Sequence, residues 1–461
     1  MEQSRQKPPK RSEESGARKR GEGDEKKGRK PKPPPQGVPA RDAALALIHM
    51  TTRGLTLNEA VETCKSFQAL EGADRSFARA LASTTLRRRG ALDEVFESYL
   101  KIPLKPKQTL LRDLFRVTAA QLCVMDVDPH AAVFCAVEIA KLRDTTRGYK
   151  NLVNAVARAM SEDGKERLEK LPIRQDAPGW LWRRLAKAHG TKTAEKIVLA
   201  HRDEAPLDLS LKDPSAELVL GEEIEAKRIG VRTLRTASRL VPGIPGYEEG
   251  AFWVQDVAAT LPAAILGATE GAKTFDLCAA PGGKTMQLMA DGAWVTAVDT
   301  SAWRLKRLEA NLQRVGFSAS VVQENLLEWK PSGPAKFVLL DAPCSATGTI
   351  RRNPDLLWTS REEQLPLLKD LQAKMLDRAA DLTEAGGTLV YAVCSLLPEE
   401  GEEQVEKLLA RRDDLERVPV EPSEVGGLPV INKQGDIRCL PHLLNDEGGM
   451  DGFFAARLRK K

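Results

Sequence analysis

Phe275-Asp276-Leu277-Cys278-Ala279-Ala280-Pro281-Gly282-Gly283-Lys284-Thr285 decides the fold. A short apolar run stops at a string of small residues, and a helical pattern follows. The Gly-Lys-Thr ending invites a phosphate-loop reading, but the glycine that motif requires five positions before Gly283 is Cys278. No G-x-G-x-x-G occurs either. What remains is a turn of small residues that lets backbone amides approach a ligand. Twenty-three residues after Asp276, the next apolar run ends at Asp299, an acid suited to the two hydroxyls of a ribose. A glycine turn with a ribose acid and no phosphate signature suits S-adenosylmethionine better than a dinucleotide. The plainer alternative is a glycine-rich turn with a helix-capping aspartate.

Outward from this stretch the rhythm is strand–loop–helix. Strand candidates are 274–277, 294–298, 319–322, 337–340 and 388–393, with helical stretches at 301–314 and 362–382. Such alternation predicts a parallel sheet covered by helices on both faces, with ligands beyond the carboxyl ends of the strands. Two of those ends carry thiols, in Asp341-Ala342-Pro343-Cys344-Ser345 and Tyr391-Ala392-Val393-Cys394-Ser395. A buried structural cysteine accounts for Cys64, Cys123 and Cys135, each on a helical apolar pattern. It fits poorly for two thiols that end neighbouring strands beside a cofactor turn. No C-x-x-C marks a redox pair, and Cys439 with His442 does not complete a zinc set, so no metal is expected. Covalent catalysis remains. A thiolate adding to carbon 6 of a pyrimidine makes carbon 5 nucleophilic toward a methyl donor, and a second group then removes the carbon-5 proton. Asp341 could hold ring nitrogen 3 and the amine of a cytosine. On this reasoning the two thiols are equivalent.

Residues 40–163 carry apolar residues at three- to four-residue spacing, broken by turn signals at Gly54, Gly72, Gly90 and Pro129, which predicts a helical bundle. Its scattered Arg75, Arg87–Arg89, Lys141, Arg143, Arg147, Lys150 and Arg158 make either an RNA face or a solvated one. Residues 175–250 mix two helical stretches with β-type runs at 207–211 and 231–234. The net charge of +5 resides in the first 40 residues, which hold twelve Lys/Arg and six Asp/Glu, so the rest is near neutral. That segment reads as a disordered tail, either an RNA tether or an aid to solubility. An odd seven cysteines, no membrane-length apolar run and a charged N-terminus predict a cytoplasmic protein with reduced thiols and no membrane partner.

Three blocks now carry a resemblance: Asp276–Thr285, Asp341-Ala342-Pro343-Cys344-Ser345-Ala346-Thr347-Gly348-Thr349-Ile350-Arg351-Arg352-Asn353-Pro354-Asp355, and Tyr391–Glu400. They resemble the RsmB/NOP/NSUN family of RNA cytosine-5 methyltransferases, as do Val254-Gln255-Asp256 and the stretch Arg438–His442 with Asp451–Phe454. Asp74–Ala78, Thr85–Arg88 and Asn151–Arg158 resemble the NusB-like RNA-binding domain of the bacterial RsmB (Sun/Fmu) proteins, which modify 16S ribosomal RNA. The resemblance implies a multidomain chain: a basic tail at 1–38, an all-α NusB-like domain at 39–168, a small α+β connector at 169–250, and a Rossmann-like class I methyltransferase domain at 251–461. It implies 5-methylcytidine formation in 16S rRNA with S-adenosylmethionine, Cys394 as nucleophile, Cys344 as release cysteine and Asp341 in the active site. The cofactor set is Cys278, Ala279, Ala280, Pro281, Gly282, Gly283, Lys284, Asp299, Arg304, Asn325 and Asp341. Ribosomal RNA and small-subunit assembly intermediates are the implied partners, and a monomer suffices. The same chemistry on tRNA or another rRNA site, and a noncatalytic assembly factor, are the alternatives. Arg351 and Arg352, just after the Cys344 turn, read either as contacts to the RNA backbone or as a solvated pair. Departures from the family pattern are Ala346 for Gly, Val393 for Thr, Asn325 for Asp and Gly401 for Asn.

Overall fold

Alanine and leucine at helical spacing, punctuated by Gly and Pro, produce the N-terminal bundle. Its main helices are Val38–Thr52, Gly72–Arg87, Arg89–Glu97, Thr109–Cys123, Pro129–Leu142 and Lys150–Lys170. Pro129 opens its helix at the position where a missing N–H costs nothing, and the Asp128 carboxylate accepts from Ala131 N. Leu45, Leu81, Phe96, Phe115 and Val153 fill the core, where the Phe96 and Phe115 rings stack at 5.4 Å. Cys64, Cys123 and Cys135 are buried there. The computed structural model describes residues 35–216, 224–236 and 241–461; of the basic tail read at 1–38, residues 1–34 lie outside them.

Helices Gly179–His189 and Thr191–Ala200 lead to a small antiparallel sheet of β1 (Leu207–Leu211), β2 (Ala226–Ile229), β3 (Thr233–Thr236) and β4 (Phe252–Val254), ordered β2-β3-β1-β4. The expected strand at 231–234 sits two residues later because Gly230 takes a positive φ of 60° and makes the turn.

The large sheet contains β5 (Lys273–Leu277), β6 (Trp294–Asp299), β7 (Ser320–Gln323), β8 (Ala335–Asp341), β9 (Thr383–Val393), β10 (Leu415–Arg417), β11 (Ile437–Cys439) and β12 (Phe453–Lys460). Its order is β10-β12-β9-β8-β5-β6-β7, with β11 on β12. The five strands expected from sequence are β5 to β9, and they run parallel. The expectation of a wholly parallel sheet is corrected beyond them: β12 is antiparallel to β9, β10 and β11. No α-helix lies between β11 and β12 to carry the chain back for a parallel crossover. Helices Val257–Leu266 and Gly283–Ala290 lie on one side of the sheet core and Leu365–Leu382 and Glu402–Arg411 on the other. The strand order reverses between β5 and β8, and a crevice opens at such a point. No helix among the described residues is long and apolar enough to cross a membrane.

The bundle docks on the segment that follows Cys344. Buried Arg87 donates to the carbonyls of His201 at 3.1 Å and Arg351 at 2.6 Å. Trp358 Nε1 donates to Leu86 O at 2.7 Å, and Arg89 lies 4.8 Å over the Trp358 ring. Gly90 permits the approach, because a Cβ there would stand 2.0 Å from Gln175 O.

Candidate active site

Sheet register gathers the expected residues. Leu277 pairs Leu340, Asp341 pairs Ala392, and Asp299 pairs Gln323, so the residues just past each strand share one edge. Cys344 and Cys394 meet there with their sulfurs 3.4 Å apart. That is a thiol hydrogen bond and far too long for a disulfide. The hydrogen bond to Cys394, then burial, holds the Cys344 thiol well above its ordinary pKa. Either sulfur can donate in this contact, so the geometry leaves the two thiols as equivalent as the sequence does. Gly348 lets the turn close: its N–H donates to Cys394 O at 3.0 Å, and a Cβ there would meet Gly452 O at 1.8 Å.

Lys284 leaves the glycine turn and points at Asp341, Nζ to Oδ2 at 2.7 Å, with its ammonium 5.0 Å from the Phe453 ring centroid. Burial works against its charge, but Asp341, with help from Asp276, raises its pKa above the ordinary lysine value. Asp276 is fully buried. Thr285 donates to its Oδ2 at 2.6 Å, whereas Oδ1 has no hydrogen-bond partner. Lys284, Asp341, Asp276, Ala279 and Ala280 line a cavity of about 430 Å³, closed on the far side by Gln255 and Arg352.

Cys278 (φ 63°) and Gly282 (φ 104°) bend the turn twice, and burial pushes the Cys278 thiol up to about 12. Asp299, nearly fully buried, accepts from Ala280 N at 3.2 Å, Ser301 N at 2.9 Å and Arg304 Nη2 at 2.9 Å. It ties the glycine turn to the β6 end, with Arg304 over it. Asn325 caps a turn just beyond β7, accepting from Leu327 N at 3.1 Å and donating to Glu328 at 3.3 Å. Asp299, Arg304 and Asn325 do not line the cavity that Lys284 and Asp341 share. The donor set fits S-adenosylmethionine: the unpartnered Asp276 oxygen suits an ammonium, and the small-residue turn leaves backbone accessible.

Arg351 and Arg352 do not face an RNA surface. Arg352 bridges Asp256 at 2.5 Å and Asp451 at 3.0 Å, while Arg351 is buried against the Gly448 carbonyl. Their sequence position beside Cys344 gave no sign of partners 100 residues away. Burial tends to raise the pKa of Asp256, but Arg352 brings it below the usual range; burial and Asp256 push Asp451 up. Two family departures gain a physical account. Ala346 adopts φ 54°, a left-handed conformation that glycine takes without strain. A Cβ at Gly401 would come within 2.7 Å of Arg438 Nη2, so a larger side chain would displace that arginine from the Phe454 ring. Sequence reasoning missed the inward role of Lys284 and the buried Asp256–Arg352–Asp451 group. An acid near residue 256 and a paired Arg were visible, but not their contact.

Comparison with known proteins agrees with the architecture. Residues 263–459 match the family model for 16S rRNA methyltransferase RsmB/F, and residues 39–162 match the NusB family. Ribosomal RNA small subunit methyltransferase B of Shigella boydii is 34% identical over 438 residues, covering 91% of this chain and 98% of that protein. The protein of that name from Escherichia coli O17:K52:H18 is 34% identical over 439 residues, with the same coverage. Among solved structures, PH0851 superposes with a TM-score of 0.70 at 23% identity, covering 92% of this chain and 99% of that one. NSun6 from Pyrococcus horikoshii with SFG gives 0.51 at 19% identity, covering 61% and 98%. These two likenesses speak to the fold. With identity of this extent over nearly the whole length of its relatives, the chain belongs to the RsmB family of S-adenosylmethionine-dependent rRNA methyltransferases.

Proposed function

We propose that the protein methylates carbon 5 of a cytosine in 16S rRNA through a covalent bond between Cys394 and the base. The observation that carries this reading is the 3.4 Å pair of Cys344 and Cys394 beside the Lys284–Asp341 pair. Bound S-adenosylmethionine supplies the methyl group, held by the Cys278–Lys284 turn, Asp299, Arg304, Asn325 and Asp341. Cys394, as its thiolate, adds its sulfur to carbon 6. Asp341 receives hydrogen bonds from the exocyclic amine and from a protonated ring nitrogen 3, which selects cytosine over uracil. Lys284 donates to the base carbonyl and offsets negative charge that develops on the ring. For release, Cys344 in its deprotonated form takes the carbon-5 proton, and the electrons of that C–H bond re-form the ring double bond as the Cys394 sulfur leaves as a thiolate.

The target base must leave its stack to reach Cys394, so a single-stranded or loop cytosine, free or in an assembling small subunit, is the substrate. The helical region at 39–168 binds RNA, the connector at 169–250 joins it to the methyltransferase region at 251–461, and the tail at 1–38 adds nonspecific affinity. The protein acts as a cytoplasmic monomer. The test is adduct trapping with cofactor and unmodified 16S RNA. Cys344→Ala accumulates a protein–RNA complex that resists denaturation, whereas Cys394→Ala forms none. The opposite pattern would reverse the two roles, and no complex with either would sink the covalent reading.

A further inference from the structure

We propose that Glu400 is a positioning residue that holds the two cysteine turns in one frame and so sets the distance between the thiols. The inference rests on the reading of Cys394 and Cys344 as nucleophile and release thiol. Glu400 is fully buried, and no Lys or Arg pairs with it among the described residues. Four donors hold its carboxylate instead. Oε2 accepts from Ser345 Oγ and from Ser395 Oγ, both at 2.5 Å. Oε1 accepts from Ser345 N at 2.9 Å and Gln372 Nε2 at 3.1 Å. Ser345 directly follows Cys344, and Ser395 directly follows Cys394.

The clamp grips the Cys344 turn on both sides, because Gln372 Nε2 also donates to Pro343 O at 2.8 Å. Glu400 is itself anchored: Tyr391 of β9 donates its hydroxyl to the Glu400 carbonyl at 2.6 Å. Thr347 Oγ1 accepts from Leu396 N at 3.0 Å and lies 3.2 and 3.3 Å from the Ser345 and Ser395 hydroxyls, which closes the network. A buried carboxylate with no counter-ion is costly, and here three of its four hydrogen bonds go to the serines beside the thiols. Its charge also favours the protonated form of Cys344. Each turn can shift only with the other, so the sulfurs keep their separation when RNA enters.

Glu400→Gln keeps the size of the side chain but offers one acceptor oxygen where two were used, so two of the four donors face an amide N–H. Methyl transfer to unmodified 16S RNA should then lose on the order of 30-fold in kcat, with KM for RNA and for S-adenosylmethionine within about threefold. With the charge gone, Cys344 loses its proton more readily, so the acid limb of the kcat–pH profile should move to lower pH. Ser395→Ala in the Glu400→Gln background should cost little beyond the single change, since both cut the same arm. If Glu400→Gln does not fold, Ser345→Ala and Ser395→Ala each remove one arm and take the same readouts. Unchanged kcat, an unmoved pH limb or additive losses would overturn the proposal. A wild-type enzyme that leaves cytosine unmethylated in this assay would instead refute the underlying chemistry, which separates the two failures.

Discussion

Asp276 should make the protein lose stability as pH rises through the neutral range. Its carboxyl is fully buried with one unpartnered oxygen, and burial pushes its pKa up to about 7, against partial relief from Thr285 and Lys284. In the unfolded chain an aspartate releases its proton near pH 4. Between these values the folded state keeps a proton that the unfolded state has lost. Folding is therefore favoured at low pH, and that contribution fades as pH rises toward the folded value. Integrated between about pH 5 and about pH 8, the change comes to roughly 2.5 kcal/mol. Asp276→Asn keeps the shape and the Thr285 hydrogen bond but removes the titration. The assay is urea unfolding of wild type and variant at the two pH values without cofactor. The variant's stability relative to wild type should improve by roughly 2.5 kcal/mol at the higher pH. A difference between the two proteins that stays constant across that range would refute the reasoning.

Three further outcomes are expected. Arg352→Met strands Asp256 and Asp451 as buried, unpaired acids and should cost about 3–5 kcal/mol in a denaturant melt, a loss that a surface arginine would not produce. Lys284→Met removes the partner of Asp341 and should lower kcat for RNA methylation by about 100-fold with the fold intact by circular dichroism; undiminished turnover would assign Lys284 to structure alone. Removing residues 1–34 should weaken RNA binding at low salt, flatten its salt dependence and leave the methylated position unchanged in bisulfite mapping.

The parallel core and both thiols were legible in the sequence because they rest on local signals: apolar runs of strand length, four of them stopped by Asp or Cys. Parallel strands buried on both faces read as continuous apolar runs, so β5 to β9 stand out, whereas β10 and β11 are three residues each and carry no such signal. Side-chain direction was not legible. Lys284 read as part of a cofactor turn, and only the fold aims it at Asp341. Arg351 and Arg352 read as exposed because arginine usually is; the acids that draw Arg352 inward, Asp256 and Asp451, lie almost a hundred residues away on either side. The thiol roles were inseparable in sequence because both cysteines end neighbouring strands in the same way, and the 3.4 Å contact between their sulfurs is equally symmetric.

The joint between the helical bundle and the segment after Cys344 bears on how such a protein can change over evolution. Two regions with separate family names suggest modules that could be exchanged freely. The contacts argue otherwise: Arg87 is committed to the Arg351 carbonyl, Leu86 to the Trp358 indole, and position 90 has no room for any side chain. A bundle transplanted from a relative would bring its own surface to a seam that is cut for this one. The main-chain carbonyls at 86 and 351 accept whatever residues stand there, so the side chains that must be kept together are Arg87, Arg89 and Trp358. A chimaera that replaces one side of the Arg89–Trp358 stack should lose the joint unless the other travels with it.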